Sequence, residues 1–217
     1  SCYGWPAKRR RMKPTSILSS RERVRLALEH KATDRVPIAM VCSGINEPAR
    51  GILADHLRRT RQLDLEAFLE DTLDIAQVGP RYAGPALAPG EDIWGVVRKP
   101  VSYGPASYSE IAHHPLAGAA TVDDLRRHRW PNTDLFDYSV MPAHIAAAQK
   151  VRERCLMIAN ANVFESSWYM RGFEQMFMDL MLNPEFVHEL MERVTCFYIE
   201  HFTRILSSAR GGIDLAF

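Results

Sequence analysis

No stretch of this chain approaches the ~20 consecutive apolar residues that a membrane-crossing helix requires, and no membrane partner is expected. Net charge is nearly absent as well: 27 Lys and Arg stand against 26 Asp and Glu, leaving +1 at neutral pH. Such a balance offers no broad basic field for nucleic acid, although a local basic pocket would still admit an acidic substrate. Cysteine is scarce and scattered. Cys2, Cys42, Cys155 and Cys196 form no C-x-x-C pair and no zinc motif, which argues against a disulfide framework and for a reducing, cytoplasmic setting. The opening "SCYGWPAKRRRMKPTSILSS" lacks the apolar core of a secretory signal. Its basic run, Lys8 to Arg11, reads as a targeting or nucleic-acid arm or, more simply, as part of a flexible extension over residues 1–18. Met12 starts "MKPTSILSSRERV" in the manner of a natural initiation, so the residues before it are candidates for an upstream addition.

What is present is a globular composition, 47% hydrophobic over 217 residues, placed here in one domain over residues 19–217. Ser19 and Glu22 form a capping box for a helix running to about His30. A short apolar run, Ile38–Val41, then predicts a buried strand with Pro37 tolerable at its start. Two helical stretches, "ARGILADHL" and "LDLEAFLEDT", lead to a second strand, Asp74–Val78, stopped by Gly79-Pro80. From Arg81 to Leu116 the chain is rich in Gly, Pro and Tyr, with "DIWGVVRKPVSYG" resembling a hairpin or two short strands. So long an irregular insertion in a compact domain usually serves function. "TVDDLRRHRWP" predicts a short capped helix and "MPAHIAAAQKVRERC" a longer one, before the strand "CLMIANANV".

Phe173, Met176, Phe177, Leu180 and Met181 fall at i, i+3, i+4, i+7 and i+8, the stripe of an amphipathic helix with its apolar side in the core. Asn183-Pro184 restarts the chain as cap and first turn of another helix, which carries its stripe to about Ser208. Gly211-Gly212 breaks it, and "IDLAF" opens a strand with no helix behind it. Strands alternating with helices predict parallel βαβ units. A TIM (β/α)8 barrel typically takes about 250 residues, so the pattern predicts the first part of one, ending after its fourth visible strand.

In a barrel the catalytic face lies at the C-terminal ends of the strands. Asn160 and Asn162 share strand parity there, and Glu165 follows as a general acid or base, or as a carboxylate favoured by a helix N-terminus. These three are the catalytic candidates. Asn46 and Glu47 follow the first strand and qualify for substrate binding by the same position. Arg81 and Tyr82 follow the second strand and suit an anionic substrate, or else a loop ion pair. Asp74 falls at the opposite end and reads as structural. Arg171, before Gly172, suits an ion pair or backbone carbonyls better than substrate, and Trp168 secures the connection. Met176, Met178, Met181 and Met191 read as core filling. His113-His114 looks like a metal pair, but adjacent residues in an extended segment point apart.

Four segments together resemble the uroporphyrinogen decarboxylase superfamily, which includes corrinoid-dependent methyltransferases. They are "SSRERVRLALEHKATDRVPIAM", "EDIWGVVRK", "HPLAGAATVDDLRRHRWPNTD", and "RGFEQMFMDLMLNPEFVHELMERV" with "GGIDLAF" behind it. The resemblance implies a barrel enzyme acting on a small-molecule substrate or a corrinoid protein. Decarboxylases of the family carry an arginine-bearing "MRQAGR" where this chain reads "MVCSGINEPAR", with Arg50 as the one arginine nearby. A porphyrinogen bearing eight carboxylates needs such fork-shaped cationic contacts. The resemblance therefore implies the methyltransferase branch, with methyl transfer between a corrinoid carrier and a thiol. Zinc and a corrinoid partner belong to that activity in the full-length protein, while no cofactor is expected on residues 1–217. Uroporphyrinogen decarboxylation in haem biosynthesis, and a non-catalytic degenerate barrel that only binds, are the alternatives.

Overall fold

The computed structural model describes residues 18–40, 44–104, 106–159 and 161–217. Most of the expected N-terminal extension, Cys2, Val41, Cys42 and Asn160 lie outside them. Helices are α1 (Ser20–Leu28), α2 (Ala49–Arg61), α3 (Leu65–Thr72), α4 (Val122–Arg127), α5 (Met141–Ala148), α6 (Val163–Arg171), α7 (Phe173–Leu182) and α8 (Pro184–Ala209). Strands are β1 (Ile75–Gln77), β2 (Arg81–Tyr82), β3 (Val97–Tyr103), β4 (Ala106–His113), β5 (Phe136–Asp137), β6 (Cys155–Ile158) and β7 (Leu215–Ala216).

The central sheet is parallel, in the order β1-β6-β7, with Ile75 beside Cys155 and Met157 beside Leu215. The middle strand, β6, is buried along its whole length, as its uninterrupted apolar run requires of a strand covered on both faces. The barrel expectation is corrected here. Among the described residues this sheet has three strands and does not close, and the other strands form two separate two-stranded ribbons, β2-β5 and β3-β4. The described part of the segment expected as a first strand does not join it. Its described part, Ile38 to Met40, is irregular, with both of those side chains partly exposed. It touches the sheet through one residue: the Asp74 N–H donates to the Ile38 carbonyl at 2.7 Å, and the Ile38 N–H donates to the Asp74 carboxylate at 2.9 Å. Pro37, lacking an N–H, cannot extend a ladder beyond that point.

Local signals were otherwise well realised. Ser19 and Glu22 form the capping box of α1, and Thr121 and Asp124 form that of α4. The stretch expected as a hairpin supplies β3, and its partner β4 lies beyond that stretch. Helix α5 is shorter than its sequence pattern, stopping at Ala148, where the Arg154 guanidinium donates to the last carbonyl at 2.8 Å.

Two cores meet along α8. One gathers Trp94, Val96, Leu116, Met170, Met176 and Phe186; the other holds Met141, Leu156, Ile158 and Ile205 between sheet and helices. Of the five residues of the α7 stripe, one is buried. Met176 is fully enclosed, whereas Phe173, Phe177, Met178 and Met181 stay exposed, Met181 at 83%. Of the methionines expected as core filling, Met176 and Met191 are so placed and Met178 and Met181 are not: helical period fixes which residues share a face, and α7 packs only one edge of that face.

Asp74 sits fully buried at the start of β1 among Ser20, Arg23 and Arg35, each bonded to its carboxylate at 2.6–2.8 Å. Burial would raise its pKa, but the bonds from Arg35, Ser20 and the Ile38 N–H outweigh that and hold it below the usual range. This ties α1 and the following loop to the sheet, a structural role.

Candidate functional site

Beyond the C-terminal end of β6 comes α6, so the run from Val163 to Arg171 is helical. Asn162 is the residue before its first turn and not a strand residue, so its expected strand parity with Asn160 does not apply. Along α6, Glu165 and Tyr169 stand at i and i+4 and meet on one face. The Tyr169 hydroxyl donates to Glu165 Oε1 at 2.7 Å, and Asn162 Nδ2 donates to Oε2 at 2.7 Å. Both carboxylate oxygens are thus held by neutral donors.

This face forms one wall of a cavity of about 610 Å³, within the range of small-molecule sites. Facing it are Asp92, Ile93, Trp94 and Arg98 from the insertion, Tyr82 and Phe136 from the β2-β5 ribbon, and Tyr198 from α8. A tight turn places the insertion's residues. The Asp92 carboxylate accepts from the N–H groups of Trp94 and Val96 at 3.0 and 3.1 Å, and Gly95 supplies the positive φ of 81° that closes the turn. Asp92 also pairs with Arg98 at 2.7 Å, and the Arg98 guanidinium lies over the Tyr169 ring, 4.7 Å from its centre. Trp94 is wedged against Phe197, with ring centres 5.0 Å apart.

Burial, then the bond to Glu165, pushes the Tyr169 hydroxyl up to about 12, and burial likewise raises Tyr198. Both remain protonated at neutral pH. Ser166 and Tyr198, both lining the cavity, share a hydrogen bond of 2.9 Å.

Asn46 and Glu47 line a second, polar groove of about 1070 Å³, with Lys99 and Ser107 across it. The groove and the cavity share Asp92 and Arg98, so the ion pair divides two connected spaces. Of the residues expected from sequence, Asn162, Glu165 and Tyr82 meet in the cavity, and Asn46 and Glu47 border the adjoining groove. Arg81 does not join them. It is exposed and paired with Asp137 at 2.6 Å, the loop ion pair weighed above. Arg50 is likewise engaged with Glu66. Asp92, Arg98 and Tyr169 were missed, although the first two belong to the "EDIWGVVRK" segment and an i, i+4 scan from Glu165 reaches the third.

Arg171 takes the structural role expected of it. It pairs with buried Asp179 at 2.6 Å and donates to the carbonyls of Leu116 and Ala119 at 2.7 and 2.6 Å. The His114 Nδ1–H donates to the Tyr169 carbonyl at 2.7 Å and is also structural. Among the described residues no three His, Cys, Asp or Glu side chains converge as metal ligands, and no helix is long and apolar enough to cross a membrane. Compared with known proteins, the chain matches no family model, no curated protein and no solved structure.

Proposed function

We propose that the protein is a small-molecule enzyme whose substrate enters the cavity beside Glu165, and that its activity is methyl transfer of the kind implied by the family resemblance. The observation that carries the site is the Glu165 carboxylate, fixed by Asn162 and Tyr169 on an aromatic wall. A carboxylate held by donors at both oxygens is oriented, and it can take a proton from a bound thiol or other acceptor as that acceptor gains a methyl group. Tyr169, protonated across the working pH range, keeps Glu165 in place.

The cavity's charge favours methyl transfer over uroporphyrinogen decarboxylation. Its one lining cation, Arg98, is already paired with Asp92, and the groove adds Lys99. Eight substrate carboxylates would face that lining with little to receive them. The described residues do not assemble a zinc-binding donor set, so no step is assigned to zinc. A corrinoid partner would bring the methyl group from outside the cavity.

The test is a methyl-transfer assay with methylcobalamin, or a methylated corrinoid protein, and a thiol acceptor. Wild-type turnover is expected, with Glu165→Gln slower by about 10²–10⁴-fold. Conversion of uroporphyrinogen to coproporphyrinogen under anaerobic conditions, with no methyl transfer, would replace this reading with decarboxylation.

A further inference from the structure

The cavity carries more aromatic surface and less positive charge than binding of an anionic substrate would call for. Five rings line it: Tyr82, Trp94, Phe136, Tyr169 and Tyr198. Its lining charges are Asp92, Arg98 and Glu165. Asp92 and Arg98 neutralise each other at 2.7 Å. Glu165 is bonded to an amide and a phenol, and among the described residues it makes no salt bridge. One negative charge is left, against aromatic faces.

We infer that this cavity binds a small organic cation of the quaternary or methylated ammonium class, with Glu165 as its counter-charge and the rings as its walls. The inference rests on reading the cavity as a substrate site.

Three physical points favour a cation. Aromatic faces carry the negative end of the ring quadrupole and attract an ammonium group more strongly once water is excluded. The wall already holds a cation, since the Arg98 guanidinium lies over the Tyr169 ring. Finally, Glu165 is a partly buried charge whose only bonded partners are neutral, and such a group gains most from an opposite charge. An anion would meet Glu165 unfavourably and find Arg98 engaged. A neutral apolar ligand would strip water from the carboxylate and return nothing. The phenols of Tyr169 and Tyr198 stay protonated, so the rings act as neutral faces throughout. At about 610 Å³ the space admits the ammonium head together with a larger remainder.

The experiment is calorimetric titration of the full chain with choline and with its neutral isostere, in which a quaternary carbon replaces the nitrogen. Choline should bind at least ~30-fold more tightly than the isostere, the ratio equivalent to a desolvated cation–π contact of ~2 kcal/mol. Glu165→Gln should weaken choline ~10-fold or more and leave the isostere unchanged. Tyr169→Leu, which removes a ring and no charge, should weaken choline as well, with circular dichroism confirming that both variants are folded. Equal affinity for choline and the isostere, or no saturable choline binding to folded wild-type protein, overturns the inference. Choline binding without methyl transfer supports it and removes the methyl-transfer reading. Methyl transfer by a protein that treats choline and isostere alike overturns this inference alone.

Discussion

The Tyr169 side chain is engaged on two sides at once: its hydroxyl donates to Glu165 at 2.7 Å, and its ring carries the Arg98 guanidinium 4.7 Å from the centre. A residue of α6 thereby joins a carboxylate on its own helix to a cation on β3. The cavity wall depends on that junction, because the two elements come from segments far apart in the chain.

The junction makes the Tyr169 hydroxyl a reporter of Glu165. Burial first and the neighbouring carboxylate second push it up to about 12. Glu165→Gln removes the second cause and leaves the first. The tyrosine's pKa should therefore fall toward the ordinary value of 10.0 without reaching it. Ultraviolet titration, taken as the difference between each protein and its Tyr169→Phe counterpart, isolates this group. An unchanged transition would mean that Glu165 does not reach the hydroxyl in solution.

Arg171 and Asp179 predict a stability loss that is unequal between partners. Both side chains are almost fully buried, at 5% and 6% exposure, and removing one member of such a pair costs ~3–5 kcal/mol. Arg171→Met should lie at the upper end, since it strands the carboxylate and also the carbonyls of Leu116, Ala117 and Ala119. Asp179→Asn should cost less, because those carbonyls still hold the guanidinium. Urea unfolding of the two variants measures the order, and a larger loss for Asp179→Asn would contradict it.

How much of this was legible in the sequence follows from what each signal encodes. Capping boxes are local chemistry, and Ser19 with Glu22 could be read directly. Glu165 was reachable because it follows an apolar strand. Tyr169 was not, because the connection from Asn162 to Arg171 shows no apolar periodicity, and only a helix brings i and i+4 together. Asp92 and Arg98 lie in an irregular insertion whose turn sets their direction. For β1, β6 and β7 the apolar runs marked real strands and their parallel pairing followed. Ile38 and its neighbours had the same composition and lie by the open edge of β1, but they meet it only at Asp74, because Pro37 has no N–H to continue a ladder. The α7 stripe shows the same limit: its period was correct, and the surface that would cover Phe177 was not implied by it.

Acid stability should depend on Asp74. Its folded pKa lies below the ordinary value of 3.8, so the folded state binds fewer protons than the unfolded state as acid is added. Its contribution is therefore complete above that ordinary value and is lost as pH falls through the depressed folded pKa. Asp74→Asn, whose side chain does not titrate, should be less stable at neutral pH, since Arg23 and Arg35 lose the negative charge of Asp74. It should also lose less further stability between pH ~5 and pH ~2 than wild type. Urea midpoints measured across that range decide it, and parallel acid limbs in the two proteins would remove Asp74 from the explanation.

Gly90 offers a test of how the insertion's backbone holds the cavity. Its carbonyl accepts from the Arg98 N–H at 2.8 Å, which fixes the start of β3 and the origin of the Arg98 side chain. It also has a φ of 79°, and a Cβ placed there would overlap the Arg98 carbonyl oxygen. Gly90→Ala thus meets two costs, the left-handed backbone at ~1–2 kcal/mol and a clash with backbone that has no flexible end to move. Gly104, at φ 59° in the turn between β3 and β4, has nothing within 4 Å of such a Cβ, so Gly104→Ala meets the first cost alone. Gly90→Ala should be the less stable of the two in urea, and it alone should displace Arg98 from the Tyr169 ring. That displacement would appear as a changed Tyr169 titration, since a cation that lowers the tyrosine's pKa would have moved away and the transition would rise. Equal stability losses, with the titration unaltered in both variants, would show that the cavity wall is not anchored through Gly90.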